Sequence, residues 1–428
     1  MTVGQPQRSL SLGDVPQLRD TGYGVPKSEV PRMRIDAVDL VRGIVMVIML
    51  LDHTRDFIHV DALRYDATDL TRTTVALFFT RWITHFCAPA FVFLAGTAAY
   101  LQGVRGKSRQ TLSAFLVKRG LWLMLLEVTF VRLSMLWNAD PKFLGFLQVI
   151  FAIGLGMVVL GGLVRFFSWK PIGVFGVAIV ALHNALDGIR VPPWFPPAPA
   201  PPLSQQMWVF LHQQGLLAPF GFPGPVAIVL YPVLAWIGVI CAGYAFGRVY
   251  EWDSQRRRAF LLRLGLGLTA LFIALRATNL YGDSAHWSVQ KSAAFTALSF
   301  LNTTKYPPSL LFLLMTLGPA IAVLGWLDGK RLARAGDYFV TFGRVPLFFY
   351  VLQWNYAHIA GVTLALANRN STRFYFSAPL DWGSSGFHGF ALWVVYAVWL
   401  VGVLLLYPLC KWFAGVKARR RDWWLSYL

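Results

Sequence analysis

Apolar runs of about 20 residues recur along most of the chain, separated by shorter polar stretches. A helix of about 20 apolar residues is long enough to cross the hydrocarbon core of a membrane, which is roughly 30 Å thick. The pattern therefore predicts an all-α, polytopic helical membrane protein with about ten transmembrane helices. We place these spans at residues 37–59, 77–102, 114–137, 143–164, 171–187, 225–249, 259–277, 308–327, 338–364 and 389–413.

The composition agrees with this class, because 56% of the 428 residues are hydrophobic and only 14% are charged. A soluble protein of this length needs more polar surface than such a composition supplies. The net charge of +19 does not indicate nucleic acid binding, since the basic residues lie mostly between apolar runs. In that position they orient the spans and contact anionic lipid headgroups. We therefore expect membrane lipid, and no nucleic acid, as a partner.

The basic residues lie in alternate loops, which predicts the orientation of the chain. Clusters occur within residues 8–34, 105–119, 256–258, 330–334 and 417–421. Cytoplasmic loops carry an excess of Lys and Arg, so both termini are expected to be cytoplasmic. We divide the chain into a cytoplasmic arm expected to be disordered (1–35), a transmembrane domain (36–415) and a basic cytoplasmic tail (416–428). The expected location is a bacterial inner membrane.

The first span is unusual because RGIVMVIMLLDHTRDF, residues 42–57, carries several ionisable groups. On a helix, Arg42 and His53 differ by only about 20° in direction, Asp52 lies on their flank, and Arg55 points roughly 140° away. A charge at membrane depth costs at least a few kcal/mol unless it is paired or faces water. The charged stripe is therefore expected to line a polar cavity. The alternative is that its outlying members lie at the membrane interfaces, namely Asp39, Arg42, Arg55 and Asp56.

Further ionisable residues lie in the second, third and ninth spans. Arg81 and His85 are one helical turn apart, and the predicted orientation puts His85 at a depth similar to that of the first-span histidine. Glu127 lies near the middle of the third span, where it either takes part in catalysis or neutralises Arg81 or Arg344. The ninth span carries Arg344 near its cytoplasmic face and His358 near the opposite face.

An arginine and a histidine separated by ten residues, as in the first span, resemble the pattern of membrane-embedded acyltransferases. The wider sequence resembles the heparan-alpha-glucosaminide N-acetyltransferase-like family. The similar segments are RIDAVDLVRGIVMVIMLLDH (34–53), FCAPAFVFLAGTAAYL (86–101), LQVIFAIG (147–154), YPVLAWIGV (231–239), KYPPSLLFLL (305–314) and GRVPLFFYVL (343–352). Their order and the charged positions extend the resemblance over most of residues 34–415.

The resemblance implies a transmembrane enzyme that takes acetyl groups from cytosolic acetyl-CoA and delivers them to a sugar or glycan across the membrane. The lysosomal member of the family has an asparagine where His53 stands, and its active histidine lies in the segment after the first span. His53, His59 and His85 are therefore the local candidates, and the spacing favours His53. The acceptor atom is either an amine nitrogen or a hydroxyl oxygen. A homodimer is the candidate assembly.

Each candidate residue has an expected role in this chemistry. An imidazole acts either as a general base toward the acceptor or as the group that accepts the acetyl itself. The catalytic candidates are His53, His85, Asp52, Asp56 and Glu127. Guanidinium groups suit phosphate oxygens, so the candidates for binding acetyl-CoA are Arg42, Arg119 and Arg344, with Gln148. Those for the acceptor are Arg55, Lys305 and His358. No metal-ligand spacing is evident, so no metal is predicted.

A transporter or exporter is the competing hypothesis, with the buried charges forming an ion or substrate path. Transporters often contain inverted repeats and spans broken by Gly or Pro. Pro89 and Pro346 interrupt spans, but the sequence shows no paired halves. A purely structural membrane subunit would leave the buried charges unexplained.

Overall fold

The fold is described from a computed structural model, which covers residues 36–330, 334–420, 422 and 425. Helices account for 70% of the structure and strands for 4%, which confirms the helical prediction. The predicted N-terminal arm and part of the basic tail lie outside the described residues.

The α-helices are α1 (Asp36–Ile58), α2 (Val75–Ile83), α3 (Cys87–Val104), α4 (Arg109–Leu126), α5 (Arg132–Leu136), α6 (Val149–Phe166), α7 (Trp169–Leu182), α8 (Leu203–His212), α9 (Val233–Phe246), α10 (Ser254–Thr278), α11 (Ala293–Leu301), α12 (Leu310–Leu327), α13 (Arg334–Arg344), α14 (Pro346–Ala367), α15 (Arg373–Phe376) and α16 (Leu392–Arg419). The strands are β1 (Phe143–Leu147), β2 (Gly215–Leu217) and β3 (Val226–Val229). A π-helical segment, Glu127–Val131, joins α4 to α5, and 3₁₀ turns include Thr84–Phe86 and His183–Leu186.

Seven helical stretches of the described chain are long and apolar enough to cross a membrane. They are Val75–Val104, Val149–Phe166, Trp169–Leu186, Val233–Glu251, Ser254–Thr278, Leu310–Leu327 and Leu392–Arg419. The other three predicted spans coincide with α1, with α4 and α5, and with α14. α1 and α14 contain 23 and 22 residues, but both carry polar side chains, and they pack against each other inside the bundle.

Four predicted spans are less regular than their apolar runs indicated. The runs at 143–164 and 225–249 each begin with a strand, and α6 and α9 start only after it. The run at 77–102 is interrupted by the 3₁₀ turn Thr84–Phe86. The run at 338–364 divides into α13 and α14 at Pro346, because proline fits the first turn of a new helix but not the interior of an old one.

α1 lies in the middle of the bundle, in contact with α3, α12, α13, α14 and α16. Its crossing with α13 depends on two glycines. A Cβ on Gly43 would lie 1.8 Å from the carbonyl oxygen of Phe339, and one on Gly343 would lie 1.9 Å from that of Asp39. No larger side chain fits between backbones this close. The crossing also fixes Arg42, whose Nη1 donates to the Gly343 carbonyl oxygen at 3.1 Å.

A small sheet of order β1-β3-β2 covers the ends at which α6 and α9 begin. β1 runs parallel to β3 with Leu147 opposite Val229, and β2 runs antiparallel to β3 with Gly215 opposite Val229. α8 ends just before β2, so His212 is held at the edge of this sheet. The sheet therefore brings the segment after α7 and the end of α8 to one side of the bundle.

Candidate active site

A buried network of ion pairs surrounds Asp52 on α1. Arg81 Nη1 from α2 lies 2.8 and 2.5 Å from the two carboxylate oxygens, and Arg55 Nη2 lies 3.0 Å from Oδ1. Arg55 Nη2 also lies 2.5 Å from Asp56 Oδ1. By helical direction Arg55 lies off the charged stripe, yet only 6% of this residue is exposed. Its long side chain folds back one helical turn to reach Asp52.

Lys305 and His85 complete the charged group. Lys305, in the loop before α12, is 8% exposed and interacts electrostatically with Asp52, His53 and His85. His85 lies in the 3₁₀ turn between α2 and α3, 3% exposed, with its ring 5.4 Å from that of Phe312. Three separate elements thus bring these residues to the α1 stripe. The group contains the cations of three residues and the carboxylates of two.

His53 is held by two aromatic rings of α14. Its imidazole stacks on Trp354 with centroids 3.6 Å apart and meets the edge of Tyr350 at 6.2 Å. Among the described residues, its buried Nδ1 has no hydrogen-bond partner, nor do the two amide atoms of Gln353 on α14. Asp56 accepts from Arg55, and among the described residues it has no hydrogen bond to the imidazole. The ring is therefore fixed by stacking.

The α14 residues around His53 were not predicted. Gln353 and Trp354 lie three and four positions after Tyr350, so each lies next to Tyr350 on the surface of the helix. They carry no charge, and aromatic side chains in a membrane span normally pack or anchor it at an interface. The sequence signal was a single polar amide, that of Gln353, within an apolar run.

Glu127 lies in the π-helical segment between α4 and α5, and 1% of it is exposed. Its Oε2 accepts a hydrogen bond from the Phe151 backbone amide at 3.2 Å, in the first turn of α6. The carboxyl group therefore satisfies an amide that has no partner within its own helix. The predicted alternative in which Glu127 neutralises Arg81 is wrong, because the Arg81 guanidinium binds Asp52. Glu127 also interacts electrostatically with Tyr350, beside His53.

A mostly apolar cavity of about 200 Å³ lies between α1, α3, α4, α6 and α14. Arg42, Gln102 and Arg119 line one end, and Tyr350 lines the other. The α1 residues on its wall are Arg42, Met46 and Met49, and His53 continues the same helix face. The other predicted donor residues lie elsewhere. Arg344 is exposed at the end of α13, and the amide of Gln148 donates to Met135 Sδ at 3.4 Å.

A second, polar cavity of about 320 Å³ lies near the small sheet. Its lining includes Asp187, His212 and Tyr306, and Tyr306 also interacts electrostatically with Arg81 and Lys305. Tyr306 therefore connects this cavity to the charged group around Asp52. The two cavities share no lining residue.

The model of one protein family, heparan-alpha-glucosaminide N-acetyltransferase, catalytic, matches residues 34–278. The chain belongs to this family. No curated protein matches it significantly over its sequence. Membership indicates a membrane acetyltransferase and confirms the resemblance that the first span and the later motifs indicated.

The residues matched by the family model include only part of the candidate site of this N-acetyltransferase-like chain. Arg42, His53, His85, Arg119 and Glu127 lie within the matched residues, whereas Lys305 and all of α14 follow them. Helix α14 also carries His358, predicted to contact the acceptor. Its imidazole stacks on Trp137 at 4.5 Å and its Nδ1 lies 3.1 Å from the Met135 carbonyl oxygen. His358 lines neither cavity and is part of an aromatic cluster.

Proposed function

We propose that this protein transfers an acetyl group from acetyl-CoA to an amine or hydroxyl group of a sugar, with His53 as the catalytic residue. One observation carries the proposal. The apolar cavity begins at two arginines and ends at Tyr350, whose ring touches that of His53. Such an arrangement suits a donor with a phosphate-rich end and a reactive acyl end.

The arginine end of the cavity suits the phosphates of acetyl-CoA. Arg42 and Arg119 present guanidinium groups, which pair well with phosphate oxygens. Along α1, Arg42 and His53 are eleven residues apart, a rise of about 16 Å. The apolar wall between them, including Met46 and Met49, suits the extended arm that links nucleotide and thioester. We propose that this end faces the cytoplasm, and the distribution of basic loops supports that orientation.

His53 is positioned to act as a general base toward the acceptor. The donor supplies a thioester carbonyl, which the acceptor nitrogen or oxygen attacks as the carbon–sulfur bond breaks. His53 Nδ1 has no hydrogen-bond partner in the described part of the chain, so it can take the proton that the acceptor loses, which then passes to the leaving thiolate. The excess of cations in the Arg55, Arg81 and Lys305 group can stabilise the negative charge that develops on the carbonyl oxygen.

The acceptor is proposed to enter from the opposite side of the membrane, through the polar cavity that reaches Tyr306. Lys305 lies next to Tyr306 in the same loop. Lys305 and Arg55 are candidate contacts for the sugar. We further propose ten membrane spans with both termini cytoplasmic, a bacterial inner membrane location and a homodimeric assembly. The basic loops and the three additional helices α1, α4–α5 and α14 support the topology.

The test uses the full chain in liposomes, with acetyl-CoA outside and amino sugars inside, and measures free CoA and acetylated sugar. His53→Ala should lower turnover by about 10²- to 10⁴-fold, the contribution typical of a positioned proton-transfer group. The exposed His286 provides a matched control, and His286→Ala should leave turnover unchanged. Wild-type turnover in His53→Ala would refute the assignment.

Radiolabelled acetyl-CoA without acceptor separates the two routes through His53. Label retained on the protein supports an acetyl-histidine, and its absence supports direct transfer. Solute flux without release of free CoA would instead identify a transporter.

A further inference from the structure

Three potential metal ligands meet beside the polar cavity, away from the charged group of α1. His183, Asp187 and His212 each offer a ligand atom, and these atoms all lie within 4.8 Å of one another. His212 Nε2 is already 3.0 Å from Asp187 Oδ1. Both histidines are buried, with 3% and 4% of their surfaces exposed.

Local structure holds the three side chains in place. His183 begins the 3₁₀ turn that ends α7, and Asp187 follows directly after that turn. His212 is the last residue of α8, where its ring packs against Trp208 at 5.4 Å. Gln213, the next residue, exchanges two hydrogen bonds with the backbone of Val191, at 3.1 and 2.9 Å. The loop after α7 is thereby tied to the end of α8.

Asn184 orients the carboxylate in the way that outer-shell residues do at metal sites. Its Nδ2 donates to Asp187 Oδ2 at 2.9 Å, which leaves Oδ1 directed at His212. Its Oδ1 accepts from the Leu310 backbone amide at 2.8 Å, so the asparagine itself is fixed to the start of α12. Residues that hydrogen-bond to a metal ligand in this way fix the orientation of that ligand and tune metal affinity.

The ring nitrogens of His183 point to a ligand. Both are buried without a hydrogen-bond partner in the described structure, whereas His212 Nε2 already has Asp187 as a partner. A buried polar atom left unsatisfied costs about 1–3 kcal/mol, so native sites normally supply a partner. A bound cation would satisfy one nitrogen of His183.

The geometry suits a tetrahedral ion. Zn–N and Zn–O distances of about 2.0–2.2 Å require ligand atoms roughly 3.3 Å apart. The Asp187–His212 separation of 3.0 Å is already close to this value. The ligand atoms all lie within 4.8 Å of one another, so ion binding would need the longest separation to shorten by up to about 1.5 Å.

We propose that His183, Asp187 and His212 bind a divalent transition-metal ion, with Zn²⁺ the ion that this donor set suits best. Three protein ligands leave a fourth position, which faces the polar cavity because Asp187 and His212 line it. A water or an oxygen of a cavity ligand completes the coordination. The site is independent of the proposed acetyl transfer, and its ligands are too far apart in the sequence to match the motifs on which no metal was predicted.

The test measures metal content and affinity of the full chain purified in detergent with a tag that lacks histidine. Elemental analysis should find about one zinc per chain, and Co²⁺ added to the chelator-treated protein should give the visible absorption of tetrahedral cobalt. His183→Ala and His212→Ala should both lose the metal and the absorption. The exposed His286 and His388 provide controls, whose alanine variants should bind normally.

A milder variant separates loss of metal binding from loss of the fold. Asn184→Ala keeps all three ligands but removes the outer-shell hydrogen bond, so metal affinity should fall by about 10- to 100-fold. Wild-type protein without bound zinc and without cobalt absorption would overturn the proposal. Retention of the metal in both His183→Ala and His212→Ala would overturn it as well.

Discussion

Asp52 is the residue whose removal should most destabilise the bundle without touching the apolar core. In Asp52→Ala, Arg81 loses its carboxylate, while Arg55 keeps Asp56 as a partner. Only 12% of the Arg81 side chain is exposed, so its charge would remain buried and unpaired. Breaking a buried ion pair in this way typically costs about 3–5 kcal/mol.

Removing the arginine of this pair should cost less stability than removing the aspartate. Arg81→Ala leaves Asp52 with Arg55 still at 3.0 Å, so the remaining charge has a partner. We expect a loss of about 1–3 kcal/mol, the range for a buried group that loses one of its hydrogen bonds. Asp52→Ala/Arg81→Ala should be more stable than the sum of the single losses predicts, by up to about 3 kcal/mol.

The measurement is the free energy of unfolding in mixed micelles, followed by tryptophan fluorescence over a denaturant series. Arg64→Ala is the matched control, because this arginine lies 3.7 Å from Asp61 and its side chain is 66% exposed. It should cost less than about 1 kcal/mol. If the two buried single variants lost equal stability, and the double variant lost their sum within about 0.5 kcal/mol, the network would not be coupled as described.

Three further predictions concern the α1 crossing, the donor and the imidazole. Gly43→Ala should destabilise the fold by at least about 1–3 kcal/mol, because its Cβ would lie 1.8 Å from a backbone oxygen of α13. Gly267→Ala, where nothing lies within 4 Å, should instead stabilise it by roughly 0.5–1 kcal/mol, and equal unfolding energies for the two would contradict the crossing. Arg42→Ala should raise the KM for acetyl-CoA by about tenfold or more with little change in kcat, and an unchanged KM would remove the arginine from the donor site. Trp354→Ala should lower kcat in the acetyl transfer assay, because His53 loses the ring stacked at 3.6 Å, whereas unaltered kcat would show that this stacking is not needed.

The sequence predicted the helical class and the shared face of Arg42, Met46 and Met49, because both follow from short-range periodicity. The predicted polar cavity along this face is wrong, since the cavity that these three residues line is mostly apolar. The position of Arg55 could not be read from direction alone, because a guanidinium on a long side chain can reach a carboxylate on a neighbouring turn. Helical wheels place Cβ atoms, and the charge of an arginine lies several bonds further out.

Contacts between distant segments were the main omission. Trp354 meets His53 across about 300 residues, and no pattern within either helix indicates that the two stack. A proline-rich loop separates His183 and Asp187 from His212, and the small sheet and α8 bring them together. A spacing of that length matches none of the short metal-binding motifs.

The separation of the two cavities has a consequence for the energetics of the cell membrane. A bundle open to water at both ends would conduct protons and dissipate the transmembrane potential. Here Arg81 and Arg55 are ion-paired with Asp52, His53 is stacked on Trp354, and the two cavities have no described lining residue in common. We expect liposomes containing the protein to hold an imposed proton gradient as well as empty ones, so that an acyl group could cross the bilayer without a leak.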